Sequence, residues 1–158
     1  MHVLLINSPL FRERNPLYDE DSLPPIGLGY IATHLQNNGI SVDLIEAVYS
    51  RTPLREWIDS LTKSKPAFVG ANIFTTNYEL VKELFEGLKF ESHFIIGGLS
   101  TKDLYKEIIE WDISNPMYIV IGDGELITLD IVKNQLREDP FLAQGNFRAF
   151  MVNSSSTY

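Results

Sequence analysis

The sequence contains no cysteine. These 158 residues therefore supply no disulfide, no thiolate metal ligand, no cysteine nucleophile and no cysteine-held iron–sulfur cluster. Histidine is scarce. His2, His34 and His93 are the three present, and no two have the spacing of metal ligands on one element. Basic residues are outnumbered 13 to 21 by acidic ones, leaving a net charge of −8. That balance argues against a nucleic-acid footprint and against an anionic membrane surface. No apolar run approaches the roughly 18 residues of a membrane span. The chain opens directly into an apolar strand with no basic stretch before it, which predicts no signal peptide and a soluble, cytoplasmic protein.

What is present is enough for one domain with a real core. The hydrophobic fraction is 44% and the charged fraction 22%, both ordinary for a globular chain. The chain is organised around Phe94–Thr101, FIIGGLST. A short apolar run is followed by Gly97-Gly98, then by Ser100 or Thr101 at the N-cap position of a helix from Lys102 to Trp111. Strand, glycine pair, cap and helix in that order form the βα turn of a parallel sheet. The glycines permit close approach of a ligand or of another backbone, and a tight turn alone would explain them as well.

The same unit recurs along the chain. His2–Asn7 is apolar without alternation, the pattern of a strand buried on both faces. The stretch from Ser8 to Pro25 is polar, rich in proline, and too long for an ordinary βα connection, which marks it as a ligand or partner surface. A helix begins at Pro25, turns Leu28, Ile31 and Leu35 inward, and ends at Asn38-Gly39. A second strand lies within Ile40–Ala47. Its helix starts at Thr52-Pro53, carries Leu54, Trp57, Ile58 and Leu61 on one face, and stops at Pro66. Ala67–Phe74 is the third strand, followed by Thr75, Thr76 and the cap Asn77. The helix beyond it has Leu80, Val81, Leu84, Phe85 and Leu88 as its stripe.

Tyr118–Ile121 is the fifth strand. Gly122-Asp123-Gly124-Glu125 follows, then a last helix running from Glu125 towards Leu136. That helix is apolar on several sides and is expected to be well covered. Phe147–Val152 has the composition of a short strand, and 153–158 is polar and expected to fray. The expected division is a domain over 1–137 and a partly disordered extension over 138–158.

Five strands alternating with five helices predict a doubly wound, flavodoxin-like α/β fold with a five-stranded parallel sheet in the order 2-1-3-4-5. Ligands of such folds bind outside the carboxyl ends of the strands. Those ends gather Asn7-Ser8, Phe74-Thr75-Thr76, Gly97-Gly98 and Gly122-Asp123-Gly124. The segment after the first strand has no glycine from Ser8 to Arg14, which excludes a dinucleotide fingerprint or P-loop. Asn7-Ser8 and Phe74-Thr75 lack the acids of a phospho-receiver. A ligand gripped after strands 3, 4 and 5 remains.

The ordered set VLLINSP (3–9), LPPIGLGYIA (23–32), VDLIEA (42–47), Val69-Gly70, Thr75-Thr76-Asn77, Ile96-Gly97-Gly98 and IGDGE (121–125) resembles the cobalamin-binding domain at the N-terminus of radical S-adenosylmethionine enzymes. The resemblance covers residues 2 to 135. It implies cobalamin as cofactor, with the corrin over the strand ends and the nucleotide tail in a groove between sheet and helices. The matching positions are Ser8 and Pro9, Thr75, Thr76 and Asn77, then Gly97, Gly98, Leu99 and Ser100, then Gly122, Asp123, Gly124 and Glu125.

Two departures from related domains stand out. The Asp-x-His-x-x-Gly motif of methionine-synthase-type domains is missing, and Asn72 stands where that class has a serine. Cobalt is therefore expected to receive no histidine from this chain. The three cluster-binding cysteines of a radical enzyme are also missing, so the resemblance implies a catalytic partner domain or protein elsewhere. The chain would then be an excised domain, a stand-alone cobalamin carrier, or a degenerate interaction module that binds a partner through 8–25. Asp43, Glu46, Asp123 and Glu125 read as structural acids rather than catalytic ones. No catalytic residue is nominated.

Overall fold

The computed structural model describes residues 2–8, 25–47, 52–134, 141–144 and 147–152. Five parallel strands form the body of the sheet: β1 (His2–Asn7), β2 (Ser41–Glu46), β3 (Phe68–Asn72), β4 (His93–Gly97) and β5 (Met117–Ile121). Their order is β2-β1-β3-β4-β5, as the repeated βα unit predicts. Two further strands, β6 (Phe141–Gln144) and β7 (Phe147–Val152), extend the sheet beyond β5 with antiparallel pairing. β7 falls where the sequence suggests a strand. β6 is an addition that the four-residue run does not announce.

Four helices connect the parallel strands, α1 (Ile26–Asn37), α2 (Leu54–Ser64), α3 (Tyr78–Gly87) and α4 (Thr101–Ile109), and a fifth, α5 (Gly124–Val132), follows β5. Their ends follow local chemistry. Gly39, at φ +78°, turns the chain out of α1. Lys65 takes the left-handed conformation after α2, ahead of Pro66. The last helix is shorter than its apolar composition suggests. It stops at Val132, and Asn134 turns left-handed at φ +52°. Ile127, Thr128, Ile131 and Val132 of α5 are buried, as expected of a well-covered helix, while Leu126 near its start is exposed.

The sheet separates two cores because alternate residues of each buried strand point to opposite faces. Leu4, Ile6, Val69, Phe94 and Ile96 pack with α2, α3 and α4. Val3, Leu5, Phe68, Ile95, Tyr118 and Val120 face α1 and α5. No helix among the described residues is long and apolar enough to cross a membrane.

Candidate functional site

On the α1–α5 side, the second core opens towards the carboxyl ends of the strands. A cavity of about 910 Å³ runs from those ends down between the sheet and the two helices. Its floor is Leu5, Gly70, Ile95, Gly97 and Val120, and its far wall comes from Ile26, Gly27, Leu28 and Ile31 of α1 and Thr128 of α5. Its size is at the upper end of that of small-molecule sites.

The floor is low where two strands carry no side chain. Gly97 has no positive φ, and a β-carbon there would meet nothing closer than Val120, 3.9 Å away. The backbone does not demand glycine at 97, so the missing side chain leaves space in the cavity. Gly98 is glycine for the opposite reason. Its φ is +116°, and a β-carbon would lie 2.7 Å from the Ile73 carbonyl oxygen. Ile73 in turn binds the β4 turn twice, donating its N–H to Gly97 O at 2.7 Å and accepting from Ser100 N–H at 3.4 Å. Gly122 also needs its glycine, at φ +106°.

The predicted site residues separate into three groups. Ser8, Thr76, Asn77, Gly97, Gly98 and Leu99 line the cavity, as do Gly122, Asp123, Gly124 and Glu125. Thr75 and Ser100 do not line it, although they are neighbours of residues that do. Pro9 lies outside the described residues, as does nearly all of the 8–25 segment, from 9 to 24. Asn77, the N-cap of α3, turns its side chain backwards, and Oδ1 accepts from Phe74 N–H at 2.7 Å. Asp123 is the N-cap of α5 with an extended backbone, and Glu125 sits in its first turn, where the helix dipole favours an acid.

Several lining residues lie outside the set of site residues expected from the sequence. Gly70 lies inside an apolar strand, where a β-carbon would meet Leu5 Cδ2 at 2.7 Å. Thr101 is buried, and its hydroxyl bridges Gly98 O at 2.7 Å and Val120 O at 3.0 Å, tying the glycine turn to β5. Lys102 adds a cation to a rim that otherwise carries Asp123 and Glu125. At the β1 end, Asn7, Ser8 and Asn72 form a hydrogen-bonded group with Glu46. Glu46 is thus held by Asn7 rather than standing as a free loop acid. His34 is on α1 and outside the cavity lining, with Nε2 buried and unpaired. Asp43 pairs with His2 at 3.4 Å on the exposed side of β2. Among the described residues, no three His, Asp or Glu side chains converge as a metal site.

Comparison with known proteins decides the family. The model of the B12 binding domain matches residues 20–132. The chain belongs to the B12-binding domain family. Cobalamin is the cofactor of that family, and this B12-binding domain has no thiolate to offer an iron–sulfur cluster. Among solved structures it is similar to the radical S-adenosylmethionine methyltransferase TsrM from Kitasatospora setae, whose structure has cobalamin and a [4Fe-4S] cluster bound. The identity is 16% and the TM-score 0.70, over 98% of this chain and 29% of that one. It is also similar to OxsB, a cobalamin-dependent S-adenosylmethionine radical enzyme, in a structure with aqua-cobalamin and S-adenosylmethionine bound. There the identity is 16% and the TM-score 0.62, over 92% of this chain and 20% of that one. The chain thus spans less than a third of the length of these proteins. No curated protein sequence matches this chain.

The residues present fit the group. A nucleotide tail is a long, flat ligand, and the cavity is deep, largely apolar-walled and unobstructed above Gly97.

Proposed function

We propose that this B12-binding domain holds cobalamin with the corrin over the carboxyl ends of β1, β3, β4 and β5 and the nucleotide tail in the groove beneath α1 and α5. The observation that carries this reading is Gly97, a glycine that neither its backbone nor its protein neighbours require, placed on the floor of the cavity. In this reading Leu5, Gly70 and Val120 take the tail from below, and Ile31 and Thr128 from above. Gly98 and Gly122 shape the turns that let backbone approach the ligand. Lys102 meets the phosphodiester of the tail. Bound cobalamin supplies a cobalt that carries a one-carbon group.

The chain's own residues bind and orient. No histidine stands in the cavity lining among the described residues, so the reading assigns cobalt no imidazole from them. The domain then serves as cofactor module to a radical S-adenosylmethionine catalytic domain or protein of methyltransferase type. The support for that step is the greater length of TsrM and OxsB. Titration of the purified protein with hydroxocobalamin, followed in the visible spectrum, tests the reading. A saturable shift at one equivalent is expected, and an unchanged spectrum would refute it.

A second reading is a cofactor-free domain that recognises such a catalytic domain directly. It draws on the exposed apolar side chains Ile26 and Tyr30 of α1, Leu126 of α5 and Leu99 at the cavity rim. Partner binding that persists with no cobalamin response would favour it.

A further inference from the structure

The polar group at the β1 end of the cavity has a direction. Asn7 Nδ2 donates to Glu46 Oε1 at 2.6 Å. Asn72 Nδ2 donates to Asn7 Oδ1 at 2.7 Å. Ser8 N–H donates to Asn72 Oδ1 at 2.8 Å. The Ser8 hydroxyl lies 2.5 Å from the same Oδ1 and is also bonded to the Asn72 carbonyl oxygen. The chain crosses three adjacent strands, β3, β1 and β2, and is largely withdrawn from water, with Asn7 7% and Ser8 1% exposed.

Both ends fix the orientation of the two amides. A carboxylate oxygen only accepts, so Asn7 must turn its NH₂ to Glu46 and its oxygen to Asn72. A backbone N–H only donates, so Asn72 must turn its oxygen to Ser8 and its NH₂ to Asn7. The two requirements agree, and neither amide can flip without leaving a buried group unpaired, at a cost of about 1–3 kcal/mol. Every acceptor within reach of the Ser8 hydroxyl in this group belongs to Asn72. In this arrangement its hydrogen points inward to Asn72, and its oxygen is the part of the group presented to the cavity as an acceptor.

We infer that Glu46, Asn7 and Asn72 are positioning residues that make Ser8 Oγ a dedicated acceptor at the cavity, selecting a ligand that presents an N–H there. This rests on the cobalamin reading. The rim of cobalamin carries primary carboxamides, whose N–H groups are donors of that class. A carboxylate in place of the amide would bring acceptor against acceptor, with no proton in the Asn7–Asn72 chain free to rearrange. Sites that leave a buried polar group facing the wrong partner discriminate strongly.

The test compares the affinity of the wild-type protein for cobalamin with its affinity for cobalamin monocarboxylic acids, in which single peripheral amides are hydrolysed. Visible titrations at 0.5 M salt screen the overall −8 charge of the chain. At least one monocarboxylate is expected to bind tenfold or more weakly. Ser8→Ala, which removes that acceptor, should weaken cobalamin binding modestly and bring that ratio close to one, and Glu46→Gln, which frees the far end of the chain, should lower it part-way. Equal binding of amide and acids by the wild type overturns the inference while leaving cobalamin binding intact. A ratio that survives in Ser8→Ala overturns it too. A wild type that binds no corrinoid overturns the cobalamin reading and this inference with it.

Discussion

A β-carbon on Gly98 would stand 2.7 Å from the carbonyl oxygen of Ile73 and 2.8 Å from its nitrogen. The clash is with backbone and cannot be relieved by rotating a side chain. Gly97, one residue earlier, has no such neighbour. Two adjacent glycines therefore do different work, one for the turn and one for the space above the sheet.

Gly98→Ala is expected to destabilise the fold by at least about 1–2 kcal/mol, from the left-handed backbone alone, with the Ile73 contact adding to it. Gly97→Ala should leave stability within about 0.5 kcal/mol of wild type, or raise it slightly. Denaturant melts of the two variants check this. Equal losses would contradict the division. A bulky side chain at 98 would report on the turn, so ligand binding is better probed from 97.

Thr101 should behave as a tie between two strand ends. Its buried hydroxyl serves Gly98 O and Val120 O. Thr101→Val keeps the shape and removes the donor, at an expected cost of about 1–2 kcal/mol, whereas Thr101→Ser should keep most of that. Thermal unfolding that ranks serine below valine would be the contrary result.

Lys102 is exposed at the rim, so its charge is screened and its contribution is modest. In the cobalamin reading, Lys102→Glu should weaken cobalamin binding roughly fivefold at low salt and less at high salt. Cobinamide, which has no nucleotide phosphate, should lose little. An equal loss for both corrinoids would remove Lys102 from the phosphate.

Tyr118 gives a pH dependence whose sign can be worked out. Burial raises its phenol above the ordinary value near 10. The folded state then holds the proton to higher pH than the unfolded chain does. The stability from the neutral phenol is complete below pH 10 and is lost as pH rises through the folded value. Tyr118→Phe should therefore flatten the fall of Tm above about pH 10 relative to wild type. An unchanged slope would contradict the assignment.

The strand order was legible because continuous apolar runs such as Val3–Ile6 and Phe94–Ile96 belong to strands buried on both faces, and helical stripes separate them. The glycine-rich strand ends marked the cavity mouth for the same reason, since each βα turn is local in sequence. The interior of the site was not legible. Gly70 reads as one residue of an apolar strand until Leu5 is placed beside it. The Asn7, Asn72 and Glu46 side chains are 39 and 65 residues apart and meet only because β1 lies between β2 and β3. Thr75 and Ser100 have the right chemistry at the right strand ends, yet their turns leave them out of the lining. β6 is a four-residue strand set by its pairing with β7 more than by its own pattern.

The most direct test of cobalamin in this groove is a hydroxocobalamin titration of Gly97→Leu beside wild type, with the thermal melts of both recorded. A leucine at 97 projects into the cavity from a strand position that a side chain can occupy. The account predicts a saturable spectral change for wild type and none, or at least a hundredfold weaker one, for a variant of similar Tm. A folded Gly97→Leu that binds hydroxocobalamin as tightly as wild type would contradict it.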